Sequence, residues 1–266
     1  MKNLIICGDS FSIGIGCHNL NTEPYGSLLA KKLDMNLINL AKGSSTNLSI
    51  SLQVKHAVDN IPDIGLLIIA NTCYHRTEWF PENAKENGDV INLNVNYHQY
   101  PPYGEGTYPY IIEHPMIDDP RYTGEILTEN WFGIIDYVEN ILDKNNNVNS
   151  SAYFKKFKNE RPERMRLLKD YYYEFFDSRI QRQYDMGVIV KSHALLKNKN
   201  IKHYILTHEV DEFKSYVPTE NLVHVNWGEL SSKYPDDLKT LHTSYLGQIE
   251  VYESIIKKIQ SYNNII

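Results

Sequence analysis

The sequence predicts an α/β chain built in three layers, with a central, mostly parallel sheet between two layers of helices. Short apolar runs recur, each closed by a glycine or a polar residue, as expected of strands buried on both faces. Segments of helical periodicity separate those runs, and parallel neighbours require crossovers of that kind. The length of 266 residues, with 42% hydrophobic and 23% charged side chains, suits one large domain carrying an insertion. The same composition excludes disordered, collagen-like and coiled-coil classes.

Leu4 to Cys7, closed by Gly8, is the first strand. A loop with Gly14 and Gly16 follows, and Thr22-Glu23-Pro24 opens a helix with Tyr25, Leu28, Leu29 and Leu33 on one face. Leu37 to Ala41 reads as a second strand ending at Gly43, and Ser44-Ser45-Thr46 offers N-caps for a helix reaching about Asn60. Ile64 to Ala70 is the third strand. The alternation then stops. Residues 80–161, rich in Pro, Asn and Tyr, read as an insertion within a single 1–266 domain, a lid or specificity region. Trp131, Ile134, Ile135, Val138, Ile141 and Leu142 predict a helix inside it. A long helical pattern runs from about Glu163 to Lys197, with Gly187 as a place to break or bend. Ile201 to Thr207 and Leu222 to Val225 are two further strands, and Ser244 to Tyr262 is a terminal helix with Leu246, Ile249, Tyr252, Ile256 and Ile259 inward.

A net charge of −6 argues against a nucleic-acid surface, which needs clustered Lys and Arg to neutralise phosphates. The three cysteines, Cys7, Cys17 and Cys73, are odd in number and lack CxxC spacing, which disfavours a disulfide framework and a cysteine-built zinc site. His203 and His208, five apart around a strand, suit no metal pair either. No metal and no cofactor are expected. The first apolar run ends at Asp9, too short for a signal-peptide core, and no stretch approaches the roughly 20 apolar residues of a membrane span. The expectation is a cytoplasmic chain with no membrane partner, its oligomeric state left open.

In open parallel sheets ligands bind beyond the carboxyl ends of the strands. Those positions hold Gly8-Asp9-Ser10-Phe11-Ser12, then Gly43-Ser44-Ser45, then Asn71-Thr72-Cys73, and, before the terminal helix, His242. A serine, small residues with free backbone N–H groups, an amide and a distant histidine are the parts of an acyl-transfer site. Ser10 as a mere helix cap is the plain alternative. His75 and Arg76, just past the third strand, compete for a role, although Arg76 with Glu78 also makes an ordinary structural pair. Asp9, Thr72, His75 and Arg76 complete the candidate substrate-binding set.

Gly8-Asp9-Ser10-Phe11-Ser12 resembles the first block of the SGNH (GDSL-type) hydrolases, and Asn39-Leu40-Ala41-Lys42-Gly43 resembles their second. His242 before a terminal amphipathic helix is similar to their last block. The resemblance covers roughly residues 1–80 and 200–262 and implies a flavodoxin-like sheet. It implies Ser10 as nucleophile, His242 as base, and an oxyanion hole from Ser10, Gly43 and Asn71. Two blocks depart from the pattern. The third, usually Gly-x-Asn-Asp, reads Ala70-Asn71-Thr72, so either Asn71 or Thr72 takes the amide's place. The aspartate usually three residues before the histidine is Lys239, which leaves Asp236 and Asp237 to orient the imidazole.

The expected activity is a serine esterase acting on a small-molecule or glycan ester, an O-acetyl group on a carbohydrate or other polar molecule. An acyltransferase and a catalytically silent binding protein on the same scaffold are the rivals. Gly8-Asp9-Ser10 is not GxGxxG, which argues against a dinucleotide site.

Overall fold

A computed structural model of the chain describes residues 1–41, 45–72, 77–78, 97–98, 111–112, 126–127, 178–237 and 242–263. Five parallel strands make the body of the sheet: β1 Asn3–Cys7, β2 Asn36–Asn39, β3 Ile64–Ala70, β4 His203–Thr207 and β5 Leu222–His224. Their order across the sheet is β2-β1-β3-β4-β5. Helices α1 Ser10–Ile13, α2 Tyr25–Leu33, α3 Asn47–Asn60, α4 Ser178–Asn198, α5 Val210–Phe213, α6 Trp227–Lys233 and α7 Tyr245–Asn263 connect and cover them.

The alternation of side chains along each strand divides the core in two. Ile5, Cys7, Leu67, Ile69 and Ile205 pack with Ile50, Val54 and Ala57 of α3 and Ile189 and Leu196 of α4. Leu4, Ile6, Leu66, Ile68, Tyr204 and Leu206 face the other way, onto Tyr25 and Leu29 of α2 and Val251, Ile255 and Ile259 of α7. Leu4, Ile5, Ile6 and Cys7 are all fully buried, which is why β1 reads as an unbroken apolar run. Each large aliphatic side chain buried this way contributes about 1.5–3 kcal/mol.

The chain leaves β1 for β2 on one side and then returns for β3 on the other, with α2 and α3 on opposite faces of the sheet. The strand order therefore reverses between β1 and β3, and in open sheets of this kind ligands bind beyond the carboxyl ends of the strands at such a point. That is where Ser10 and Asn71 stand.

The sheet continues past β2. Ile111–Ile112 pairs parallel to it at Asn39, and Tyr97–His98 runs antiparallel to Ile111–Ile112. Thr77–Glu78 and Ile126–Leu127 form a separate antiparallel pair. The rest of the expected 80–161 insertion, including the helix around Trp131, lies outside the described residues.

Two expectations change. Gly187 does not break the long helix, because α4 runs through it and a side chain there would meet nothing within 4 Å. The inward face of α7 is rotated from the expected one: Gln248, Val251, Ile255 and Ile259 are buried while Leu246 is 57% exposed. The apolar period alone favoured Leu246, but the inward position in the first turn is taken by Gln248, which has polar work to do there. Among the described residues no helix is long and apolar enough to cross a membrane.

Candidate active site

The site begins where β1 ends. Asp9, 1% exposed, caps the single turn of α1 by accepting the Phe11 N–H on Oδ1 at 3.0 Å. Its Oδ2 accepts the Thr72 hydroxyl at 2.8 Å. One buried carboxylate thus ties the turn after β1 to the turn after β3, and it does so as a structural brace. Gly14 ends α1 in the left-handed region, with φ 89°, where a side chain would be strained.

Ser10 is the first residue of α1 and is 6% exposed. Its backbone N–H is among the donors a helix leaves without an intrahelical acceptor. Its Oγ lies 2.7 Å from Nε2 of His242, although 232 positions separate them in the chain. With a neutral imidazole, the hydroxyl donates to Nε2, the arrangement in which a histidine withdraws the proton of a nucleophilic serine. The Phe11 ring stands against the imidazole, centroids 4.7 Å apart, and stacks on Trp227 at 5.1 Å.

His242 is carried by a short two-stranded ribbon. Pro235 and Thr243 form an antiparallel bridge, and the Ser244 N–H donates to Tyr234 O at 2.8 Å. The Asp236 N–H donates to His242 O at 3.2 Å, and the His242 N–H donates to the Asp236 carboxylate at 2.8 Å. Asp236 therefore fixes the backbone of the histidine. Asp237 turns to solvent and pairs with Nε2 of His18 at 2.9 Å. Gln248 joins the two halves of the site: its Nε2 donates to Phe11 O at 3.0 Å and its Oε1 accepts the Tyr25 N–H at 3.1 Å.

Asn71 continues β3, its N–H donating to Leu206 O at 3.1 Å. Asn71 is 7% exposed, and among the described residues its carboxamide has no hydrogen-bond partner. Thr72, the alternative donor, is occupied: its hydroxyl serves Asp9, and Asn47 grips its backbone through Thr72 N–H to Oδ1 at 2.9 Å and Nδ2 to Thr72 O at 2.9 Å. Asn39 of the second block locks the loop too, donating to Ser12 O at 3.0 Å and accepting the Ala41 N–H at 3.0 Å. Gly43, His75 and Arg76 lie outside the described residues.

Several supporting residues carry no sequence signature. Gln53, Asn47 and Gln248 are buried amides on the inward faces of their helices, which apolar side chains otherwise fill. Cys7 and Cys17 offer no competing nucleophile. Burial drives the Cys7 thiol far up, and burial reinforced by the charge of Glu23 pushes Cys17 up to about 12, so both stay protonated at neutral pH. Among the described residues no group of three or more His, Cys, Asp or Glu side chains is placed to hold a metal ion.

No protein-family model matches the sequence, and no curated protein matches it. Among solved structures, the chain is similar to a carbohydrate esterase whose active site has divergent catalytic and non-catalytic binding functions, at 10% identity and TM-score 0.44, over 97% of this chain and 68% of that one. It is also similar to an acetyl xylan esterase from the rumen bacterium Butyrivibrio proteoclasticus, at 8% identity and TM-score 0.44, over 100% of this chain and 65% of that one.

Proposed function

We propose that the chain is a serine esterase in which Ser10 attacks the ester carbonyl and His242 takes its proton. The observation that carries this reading is the 2.7 Å approach of Ser10 Oγ to His242 Nε2 at the carboxyl edge of a parallel sheet. The hydroxyl adds to the carbonyl carbon and its proton passes to Nε2. The protonated imidazole then gives that proton to the departing alkoxide, leaving an acyl-serine. Water, deprotonated by the same nitrogen, releases the acid and restores Ser10.

The tetrahedral oxyanion is met by the Ser10 backbone N–H and the Asn71 carboxamide, with Gly43 as the third expected donor. One such donor is worth about 3–4 kcal/mol in comparable sites. Asp236 belongs to the scheme through the histidine's backbone, and Asp9 through the loop it braces. The substrate expectation stays an acetyl ester on a carbohydrate or other polar molecule, favoured by the tyrosines of the 80–161 segment.

The test is reaction of the protein with a fluorophosphonate, with the modified peptide read by mass spectrometry beside turnover of p-nitrophenyl acetate. Label on Ser10, with both label and turnover lost in Ser10→Ala, is expected. A wild type that neither labels nor exceeds the Ser10→Ala background would end the esterase reading. Faster hydrolysis of long-chain than of acetyl esters would overturn the substrate class alone.

A further inference from the structure

We propose that Asp185, in the middle of α4, is a positioning residue for the oxyanion side of the site: its carboxylate fixes the Asn47 carboxamide that clamps the Asn71–Thr72 turn. This inference rests on the esterase reading above and gives that site a control outside the residues that touch substrate.

The chain of contacts is continuous. Asp185 is 4% exposed, and its Oδ2 accepts Asn47 Nδ2 at 3.0 Å while its Oδ1 accepts Gln181 Nε2 at 2.8 Å. Asn47, itself 2% exposed, uses the same Nδ2 on Thr72 O and offers Oδ1 to the Thr72 N–H. Thr72 then reaches the Asp9 cap of the Ser10 turn. The two peptides that flank Asn71 are thereby held in turn, the Ala70–Asn71 peptide by Leu206 O on the β4 side and the Asn71–Thr72 peptide by Asn47 on the α3 side. An ionised Asp185 makes the Asn47 bond charge-assisted and polarises the amide toward Thr72.

Protonation changes that arrangement. Both oxygens of Asp185 accept from amide donors, and an added proton turns one of them into a neutral hydroxyl, so the charge assistance to the Asn47 and Gln181 bonds is lost. Burial pushes this carboxyl up to about 7, against the two amide hydrogen bonds and with the charge of Glu209. The charge that acts on it is that of Glu209, which itself faces the Arg182 guanidinium at 2.9 Å and Nε2 of His208 at 3.8 Å, with Arg182 also on Glu212. Asp185 therefore changes charge in the range where the enzyme would work.

Asp185→Asn keeps the shape and leaves one acceptor oxygen for two amide donors. The experiment measures kcat, KM and the fluorophosphonate labelling rate of Ser10 from pH 5.5 to 9, for the wild type, Asp185→Asn and Gln181→Ala. Thermal unfolding of each is followed in the same buffers. Expected for Asp185→Asn is a fall in kcat of about tenfold with KM changed less than about twofold, because small displacements of a catalytic donor act on the transition state. Its acid limb is expected to be shallower by one ionisation, and its unfolding temperature at pH 8 at least equal to the wild type's. Gln181→Ala, which keeps the Asp185–Asn47 bond but removes a donor that holds the carboxyl down, retains the wild-type kcat at pH 9 and has its acid limb moved to higher pH. Wild-type rates with an unchanged pH profile in Asp185→Asn overturn the proposal, as does a rate loss that merely follows a lost folded fraction. A wild-type Ser10 that takes no label overturns the esterase reading and this inference together, whereas a labelled wild type with an indifferent Asp185→Asn overturns this inference alone.

Discussion

At the residue scale, Gln53 does the work of a missing strand. β1 ends at Cys7, and the next peptide, Gly8, has no sheet partner for its buried N–H and C=O. Gln53 accepts the first on Oε1 at 2.8 Å and donates to the second from Nε2 at 3.2 Å, so one carboxamide closes both groups and delivers the chain into Asp9 and Ser10. Gly8 must be glycine at this crossing, since a Cβ there would lie 2.3 Å from the Ser12 hydroxyl. Replacing Gln53 by Leu keeps the volume but strands two buried backbone groups, each costing about 1–3 kcal/mol. Gln53→Leu is therefore expected to lower unfolding free energy by about 2–6 kcal/mol in urea titrations. A variant as stable as the wild type would show that water or a neighbour replaces the amide. Nothing in the sequence marks Gln53, because a polar residue on a helix face ordinarily reads as exposed. Ser10 and His242 were legible for the opposite reason: each sits at a boundary that the apolar pattern does reveal, the end of β1 and the start of α7.

Elements, rather than single side chains, bring those two residues together. α1 and the loop behind it pack directly on the ribbon that carries His242, and Gly16 is the point of contact. A Cβ on Gly16 would stand 2.2 Å from Thr243 O, a backbone atom that cannot swing aside as a side chain can. The steric demand of Gly16→Ala falls on the residue next to the His242 imidazole. Because displacement of a reacting group by about 1 Å can cost on the order of 100-fold, a fall in kcat of about 10- to 100-fold is expected. Circular dichroism should report the same secondary structure. Near-normal turnover in Gly16→Ala would mean that the ribbon relaxes without moving His242. The strands, α2, α3 and α7 were legible within a few residues, since a run buried on both faces and a 3.6-residue period are strong local signals. The ribbon was not: Tyr234 to Asp236 and His242 to Ser244 are too short and too polar to show a period. The roles of Asp236 and Asp237 likewise depend on how that ribbon bends, with one carboxylate turned to the backbone and the other to His18.

At the scale of the whole molecule, buried ionisable groups on opposite sides of neutrality set how stability responds to pH. His193 and His203 are buried in contact, Nδ1 of the first 2.8 Å from Nε2 of the second, and Nδ1 of His203 donates to Ile201 O at 2.8 Å. Burial lowers both, and lowers His56 as well. Below about pH 6.5 the unfolded chain takes up protons that these folded imidazoles refuse, so they withdraw stability as pH falls. Asp185 acts in the other direction. Its folded carboxyl titrates near 7 against 3.8 for an ordinary aspartate, so the folded state holds a proton that the unfolded chain has released, and stability drains as pH rises between those values. The two contributions oppose each other across the mildly acidic range and flatten the wild-type curve. Asp185→Asn removes one of them and leaves the other. The difference in unfolding free energy, variant minus wild type, is expected to climb steadily from about pH 4 to about pH 7 and to level off above it, whatever the remaining carboxylates contribute. Chemical denaturation at half-unit intervals measures that difference. Two parallel curves would show that Asp185 is ionised in the folded protein throughout, and that the Asn47 and Gln181 amides outweigh its burial.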